Sequence, residues 1–229
     1  MVTVEVDAAC VERRLTKGEP ACPCCAGVLV RWGFGPARRL RGPDGEVVVR
    51  PRRARCAGCE RTHVLLPAGM LVRRADTAQV IGAAVEAAAA GQGHRRIAER
   101  LRRPAETVRG WLRRFASRAE VIREVFTTLL VAFVADSRVL PAPARTPLGD
   151  ALAAIVALAV AARRRLAPNA PTAASTVARA GAKPVPAAAP FVGTLLAWSL
   201  ACAVSGGGLF SPSWAAETIN TSRPWETAW

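Results

Sequence analysis

Apolar and polar positions along the chain change period several times, and each change marks an element. Residues 11–17, "VERRLTK", have the spacing of a short amphipathic helix, which Gly18 and Pro20 end. Residues 28–34, "VLVRWGF", read as a strand, and "PDG" at 43–45 is a hairpin turn signal. "EVVVRPRRAR" at 46–55 reads as the return strand, with Pro51 restricting it to an edge or a bulge.

After "VLLPAG" the period becomes helical. A helix is expected over 75–90 with Val80, Ile81 and Val85 on one side, stopped by Gly91 and Gly93, and a second over 94–101. A third begins at Ala105 and runs on into a fourth that reaches Asp136. Prolines 141, 143 and 147 mark a linker over 137–149. Residues 150–166 and 191–204 read as apolar helices, separated by an Ala/Pro/Thr-rich connector at 167–190. Trp214, Trp225 and Trp229 occupy a tail without periodicity. The expected organisation is an N-terminal arm and short helix (1–20), a hairpin unit (21–68), a helical unit (75–136) and an alanine-rich helical region (137–229).

Four cysteines frame the hairpin. Cys22 and Cys25 form one C-x-x-C pair, Cys56 and Cys59 the other, and Gly27 and Gly58 sit where tight turns around a thiolate favour glycine. Two such pairs supply the four sulfurs of a closed tetrahedral structural Zn²⁺ site, in the layout of a zinc ribbon. Buried or redox-active cysteines are the competing reading. Cys24 is expected to point away from the metal, Cys10 and Cys202 to be free thiols, and His63 to be a strand residue rather than a ligand. With all four positions filled, the metal has no open coordination site for catalysis.

Charge adds a partner class. The chain carries a formal net charge of +15. Residues 1–118 hold 23 Lys+Arg against 11 Asp+Glu, or +12, and residues 119–229 hold 9 against 6, or +3. A polyanion is the expected partner and the first half its binding region. The hairpin carries Arg38, Arg39, Arg41, Arg50, Arg52, Arg53 and Arg55, with only Asp44 and Glu46 nearby to balance them; these read as phosphate contacts or as a solvated face.

Residues 75–117 have the layout of a helix-turn-helix. Val108, Trp111, Leu112 and Phe115 give the third helix one buried stripe and turn Glu106, Arg109 and Arg113 outward, where they would face base edges in a major groove. Thr107, Arg95 and Arg96 are further candidate DNA contacts, and His94 and Thr107 fit a local capping role equally well. Three such helices can also be purely structural.

"CPCCAG" and "RRLRGPDGEVVVRPRRARCAGCERTHVLLP", followed by "IAERLRRPAETVRGWLRRF", resemble the zinc-ribbon plus helix-turn-helix N-terminal module of bacterial insertion-sequence transposases. They resemble more closely a group of small actinobacterial mobile-element-associated proteins that carry this module alone. The likeness covers about residues 8–118. It implies binding to element ends, with a separate nuclease domain doing the cutting.

No such nuclease is legible. Strand transfer needs about three carboxylates around two Mg²⁺ ions, and Glu120 with Glu124 reads as a surface pair. No nucleophile triad is present, and "SGGG" at 205–208 has no lysine after it.

The expected fold is mostly α with a small β zinc ribbon, a helix-turn-helix bundle and a helical C-terminal region. The expected function is non-catalytic binding of double-stranded DNA, linked to a transposable element. The alternatives are a DNA-targeting subunit or remnant of a split transposase, whose transposase or integrase lies on another chain, a zinc-ribbon transcription regulator, and an RNA-binding protein. A homodimer is compatible with the apolar C-terminal runs. Those runs fall short of the roughly 20 residues a membrane span needs, and the N-terminus lacks a signal-peptide pattern, so a cytoplasmic, nucleoid-associated protein is expected.

Overall fold

The computed structural model describes residues 1–134, 140–166, 191–211 and 214. Its architecture is mixed α and β, with seven helices and six strands among these residues. The expectation of a mostly α chain is corrected by strands that the periodicity does not announce.

The first is β1, Val2–Val4, which pairs in parallel with β6, Thr62–Pro67, Val2 standing opposite Leu65. Residues 1–20 are therefore part of the sheet unit and not an arm. Helix α1, Ala8–Lys17, starts earlier than its apolar spacing suggested because Asp7 caps it, accepting from the N–H groups of Ala9 (3.0 Å) and Cys10 (3.2 Å). It ends at Gly18, whose φ of 68° is the left-handed C-terminal stop that glycine adopts without strain.

Strand β2, Leu29–Phe34, lies where expected, but its partner is β5, Arg52–Cys56, and not the whole 46–55 segment. Pro51 divides that segment: it has no N–H for a ladder, and its carbonyl accepts from Gly35 at 2.8 Å. What precedes it, β4 (Glu46–Val49), pairs with β3 (Arg38–Arg41) in a separate two-stranded sheet around the turn at 42–45. The larger sheet has the order β1-β6-β5-β2. One face packs on α1 through Val11, Leu15, Leu29, Ala54 and Leu65, a core that also takes in Cys22 and Cys56.

The helical unit begins with α2, Ala78–Ala89, whose Val80, Ile81 and Val85 are all buried. It starts three residues later than expected because 75–77 is held extended beside β3. The N–H of Arg41 donates to the Ala75 carbonyl (2.8 Å), and that of Thr77 to the Arg41 carbonyl (3.1 Å). Helix α3, His94–Leu101, has its expected bounds; α4, Ala105–Ala116, starts where expected, but a break at 117–118 separates it from α5, Ala119–Phe133, into which it was expected to run on.

Helix α6, Pro147–Leu166, starts inside the expected linker, with proline at the first helical position, where its missing N–H costs nothing. Helix α7, Phe191–Val204, matches its expected bounds. The connector at 167–190 and the tryptophans at 225 and 229 lie outside the described residues.

One core crosses the expected boundary at 136/137. Ile81, Val108, Trp111, Phe115, Ile122 and Phe126 share it with Ile155, Leu158, Trp198, Phe210 and Trp214. The Phe115 ring meets Trp198 edge-on at 6.0 Å and Phe210 at 5.9 Å. Among the described residues no helix is long and apolar enough to cross a membrane. The apolar runs of α6 and α7 are spent instead on this core.

Candidate metal centre and cationic surface

The sheet brings the two cysteine pairs together. Cys56 ends β5, and Leu29, at the start of β2, stands directly opposite it. The first pair lies in the turn before β2, closed by a bridge between Ala21 and Val28. The Sγ atoms of Cys22, Cys25, Cys56 and Cys59 all lie within 4.8 Å of one another. Cys22 and Cys59 are 3.6 Å apart, and Cys25 and Cys56 3.4 Å. A tetrahedral thiolate site with metal–sulfur bonds of about 2.3 Å sets its sulfurs about 3.8 Å apart. The four cysteines are therefore positioned to hold a metal ion.

Backbone N–H groups point at the sulfurs. Cys56 Sγ accepts from Gly58 (3.3 Å) and Cys59 (3.4 Å), and Cys22 Sγ from Cys24 (3.4 Å). The left-handed residue of each turn is Ala26 (φ 58°) or Glu60 (φ 59°), each directly after the second cysteine of its pair, not Gly27 or Gly58. Gly27 is needed for another reason: a Cβ there would stand 3.1 Å from Cys56 Sγ and 3.2 Å from Cys25 Sγ.

The cysteines do not ionise alike. The Cys59 N–H, working against burial, draws Cys56 down to about 6. Burial resists the ionisation of Cys22, but the N–H groups of Cys24 and Cys25 outweigh it and lower this thiol too. The N–H of Arg61 favours the Cys59 thiolate, yet burial and the neighbouring sulfurs push Cys59 up to about 12. Crowded thiolates repel one another, and a bound dication is what allows all of them to ionise.

Cys24 is exposed and outside the tetrad, its sulfur 3.7 Å from Arg61 Nη1. Cys10 and Cys202 are free thiols, and burial raises Cys202 to about 12. His63 is a strand residue, as expected, but its place was missed: it is buried, with Nε2 3.4 Å from Cys22 Sγ. Burial, then the charges of the N-terminus and Arg61, holds its pKa below the usual value. A neutral imidazole there can donate to the ligand sulfur and orient it. The available signal was its position on the strand leaving the second cysteine pair.

The arginines divide into two groups. On α4, Val108, Trp111 and Phe115 are buried while Arg109 and Arg113 are exposed. Arg109 lies 2.8 Å from Glu106, one turn before it, and both are mostly in solvent. Arg95 and Arg96 on α3 are exposed, and Thr107 is half-buried. Arg74 Nε is buried without a hydrogen-bond partner among the described residues. Burial, with the nearby charge of Arg114, depresses the Arg74 pKa.

The hairpin arginines are more committed than their sequence suggests. Arg52 is 15 % exposed, 2.7 Å from Glu12 of α1, and stacks on Phe34 at 4.4 Å. Arg55 pairs with Glu60 (2.9 Å), Arg39 with Glu46 (3.0 Å), and Arg41 with Asp76 (2.6 Å). The expectation that only Asp44 and Glu46 balance these cations is corrected: Glu12, Glu60 and Asp76 come in from elsewhere in the chain. Arg38 is exposed and Arg53 half-buried.

No protein-family profile, no curated protein and no solved structure matches this chain.

Proposed function

We propose that the chain is a non-catalytic DNA-binding protein associated with a transposable element, with Zn²⁺ as the structural ion of the cysteine tetrad. The observation that carries this reading is the division of α4. Its apolar side is sealed in the core behind α3, and its opposite side presents Arg109 and Arg113 to solvent. A short helix, a turn and a second helix with a polar outer face is the arrangement that enters a major groove. Arg113 and Arg109 supply forks for guanine edges, and Arg95, Arg96 and Arg38 supply phosphate contacts. The like-charged neighbours Arg74 and Arg114 would be relieved by a phosphate in the same region. Among hairpin residues, Arg52 is a brace between strand and helix first and a phosphate contact second.

Zinc is favoured among metals by four thiolates in tetrahedral spacing with no exchangeable position. It would lock β2 to β5 and so hold the sheet rigid beside the helices.

The test is a duplex selected from a random library, followed by salt titrations on that duplex and on random DNA. Arg113→Ala is expected to weaken the selected duplex by roughly 1–3 kcal/mol and random DNA much less. Arg38→Ala is expected to weaken both alike and lower the salt slope by about one. Equal loss of specific and random binding in Arg113→Ala sinks the groove-reading role of α4. Preference for structured RNA over every duplex sinks the DNA reading itself.

A further inference from the structure

Helix α1 covers one face of the four-stranded sheet; on the other, Thr3 of β1 and Leu66 of β6 are buried, Leu66 beside Leu40 and Met70, and the β2–β5 end is open. Ladder parity divides the sheet's residues. Leu29, Ala54 and Leu65 turn into the α1 core. Val30 and Trp32 of β2, Arg53 and Arg55 of β5, and Val64 of β6 therefore turn to the other face. A sheet face left in water is ordinarily polar, yet here Trp32 is 50 % exposed and Val30 42 %. The Arg55 guanidinium stands over the indole ring at 4.8 Å from its centroid, and among the described residues β2 is an edge strand of this sheet.

We propose that this open β2–β5 end of the face is a stacking platform for the bases of single-stranded nucleic acid, with Trp32 as the stacking ring and Arg53 and Arg55 as its phosphate contacts. The proposal goes beyond the duplex reading of α4 and stands or falls without it. Charge selects the occupant. A second copy seated on this face would set Arg53 and Arg55 against their own counterparts, and Glu60, paired with Arg55, offsets only part of that charge. A polyanion meets them favourably. The ring then selects among polyanions: bases within a duplex are stacked on one another and expose only edges, whereas an unpaired strand offers whole ring faces.

The experiment uses the full-length, metal-loaded chain with a labelled oligothymidylate of about 12 nucleotides, a duplex and polyglutamate, all at one salt concentration. Trp32→Ala is expected to weaken oligothymidylate binding about tenfold, Trp32→Phe far less, and neither to change duplex binding. Oligothymidylate is also expected to quench wild-type tryptophan fluorescence, and that quench is expected to vanish in Trp32→Phe. This second readout needs no destabilising substitution. Arg113→Ala, which probes α4, is expected to leave oligothymidylate binding intact, so failure of one reading is separable from failure of the other. Oligothymidylate binding that Trp32→Ala leaves unchanged, a quench that survives in Trp32→Phe, or polyglutamate binding with the same Trp32 dependence overturns the proposal.

Discussion

Trp198 of α7 packs directly on Gly82 of α2. A Cβ at position 82 would stand 2.2 Å from the indole Nε1 and 2.3 Å from Cε2. One turn further along α2, Glu86 accepts the Nε1 proton at 2.6 Å. This contact ties α7 to α2, which shares its core with α4, the helix that carries Arg109 and Arg113.

Gly82→Ala tests the close approach. In an open helix the change would stabilise by about 1 kcal/mol, but here the methyl must displace a fully buried ring. A net loss of about 2 kcal/mol is expected, read from the urea midpoint. Adding Trp198→Phe should cost less in this variant than in the wild type, because the clash and the ring share one space.

The Glu86 carboxyl gives a pH dependence. Burial raises its pKa above the usual 4.5, more than the Trp198 hydrogen bond and the Arg100 charge lower it. The folded state thus holds this proton at a pH where the unfolded chain has released it. Its favourable effect on stability is fully present below pH 4.5 and is lost as pH rises from there through the raised value. Glu86→Gln, which keeps an acceptor for Trp198, is expected to flatten that decline in unfolding curves taken at successive pH values. An unchanged slope would exclude Glu86 as its source.

Asp76 joins the small hairpin to the helices. It is 4 % exposed at its side chain and lies 2.6 Å from both Arg41 and Arg103. Removing it leaves the largely buried Arg103 without its carboxylate. Asp76→Ala is expected to cost about 2–3 kcal/mol, after discounting the half-exposed Arg41. Arg41→Ala is expected to cost under about 1 kcal/mol. Thermal or urea unfolding measures both.

The metal centre predicts selective losses. Cys22→Ser and Cys56→Ser are expected to lose bound metal and Cys24→Ser to keep it, by metal analysis of the purified variants. His63→Ala is expected to weaken metal affinity about 10- to 100-fold in a chelator competition, since it removes the group beside Cys22 Sγ. Chelation should melt the sheet before the helices, because Cys22 and Cys56 belong to the sheet's core and the helices have their own.

Much of this protein was determined locally. The cysteine pairs, the 94–101 helix, the start of the next at Ala105 and its buried stripe of Val108, Trp111 and Phe115 follow from spacing alone. Metal turns and amphipathic helices are set by residues a few positions apart. Tertiary structure decided what depended on distant partners. Val2–Val4 is a strand only because β6 lies beside it, and 75–77 is extended only because Arg41 takes its hydrogen bonds. Glu12 reaches Arg52 across a packed helix, which no charge count over the hairpin reveals. His63 lies against Cys22, 41 positions away in the chain. Gly82, a weak helix residue when read alone, is the position that Trp198 requires to be small.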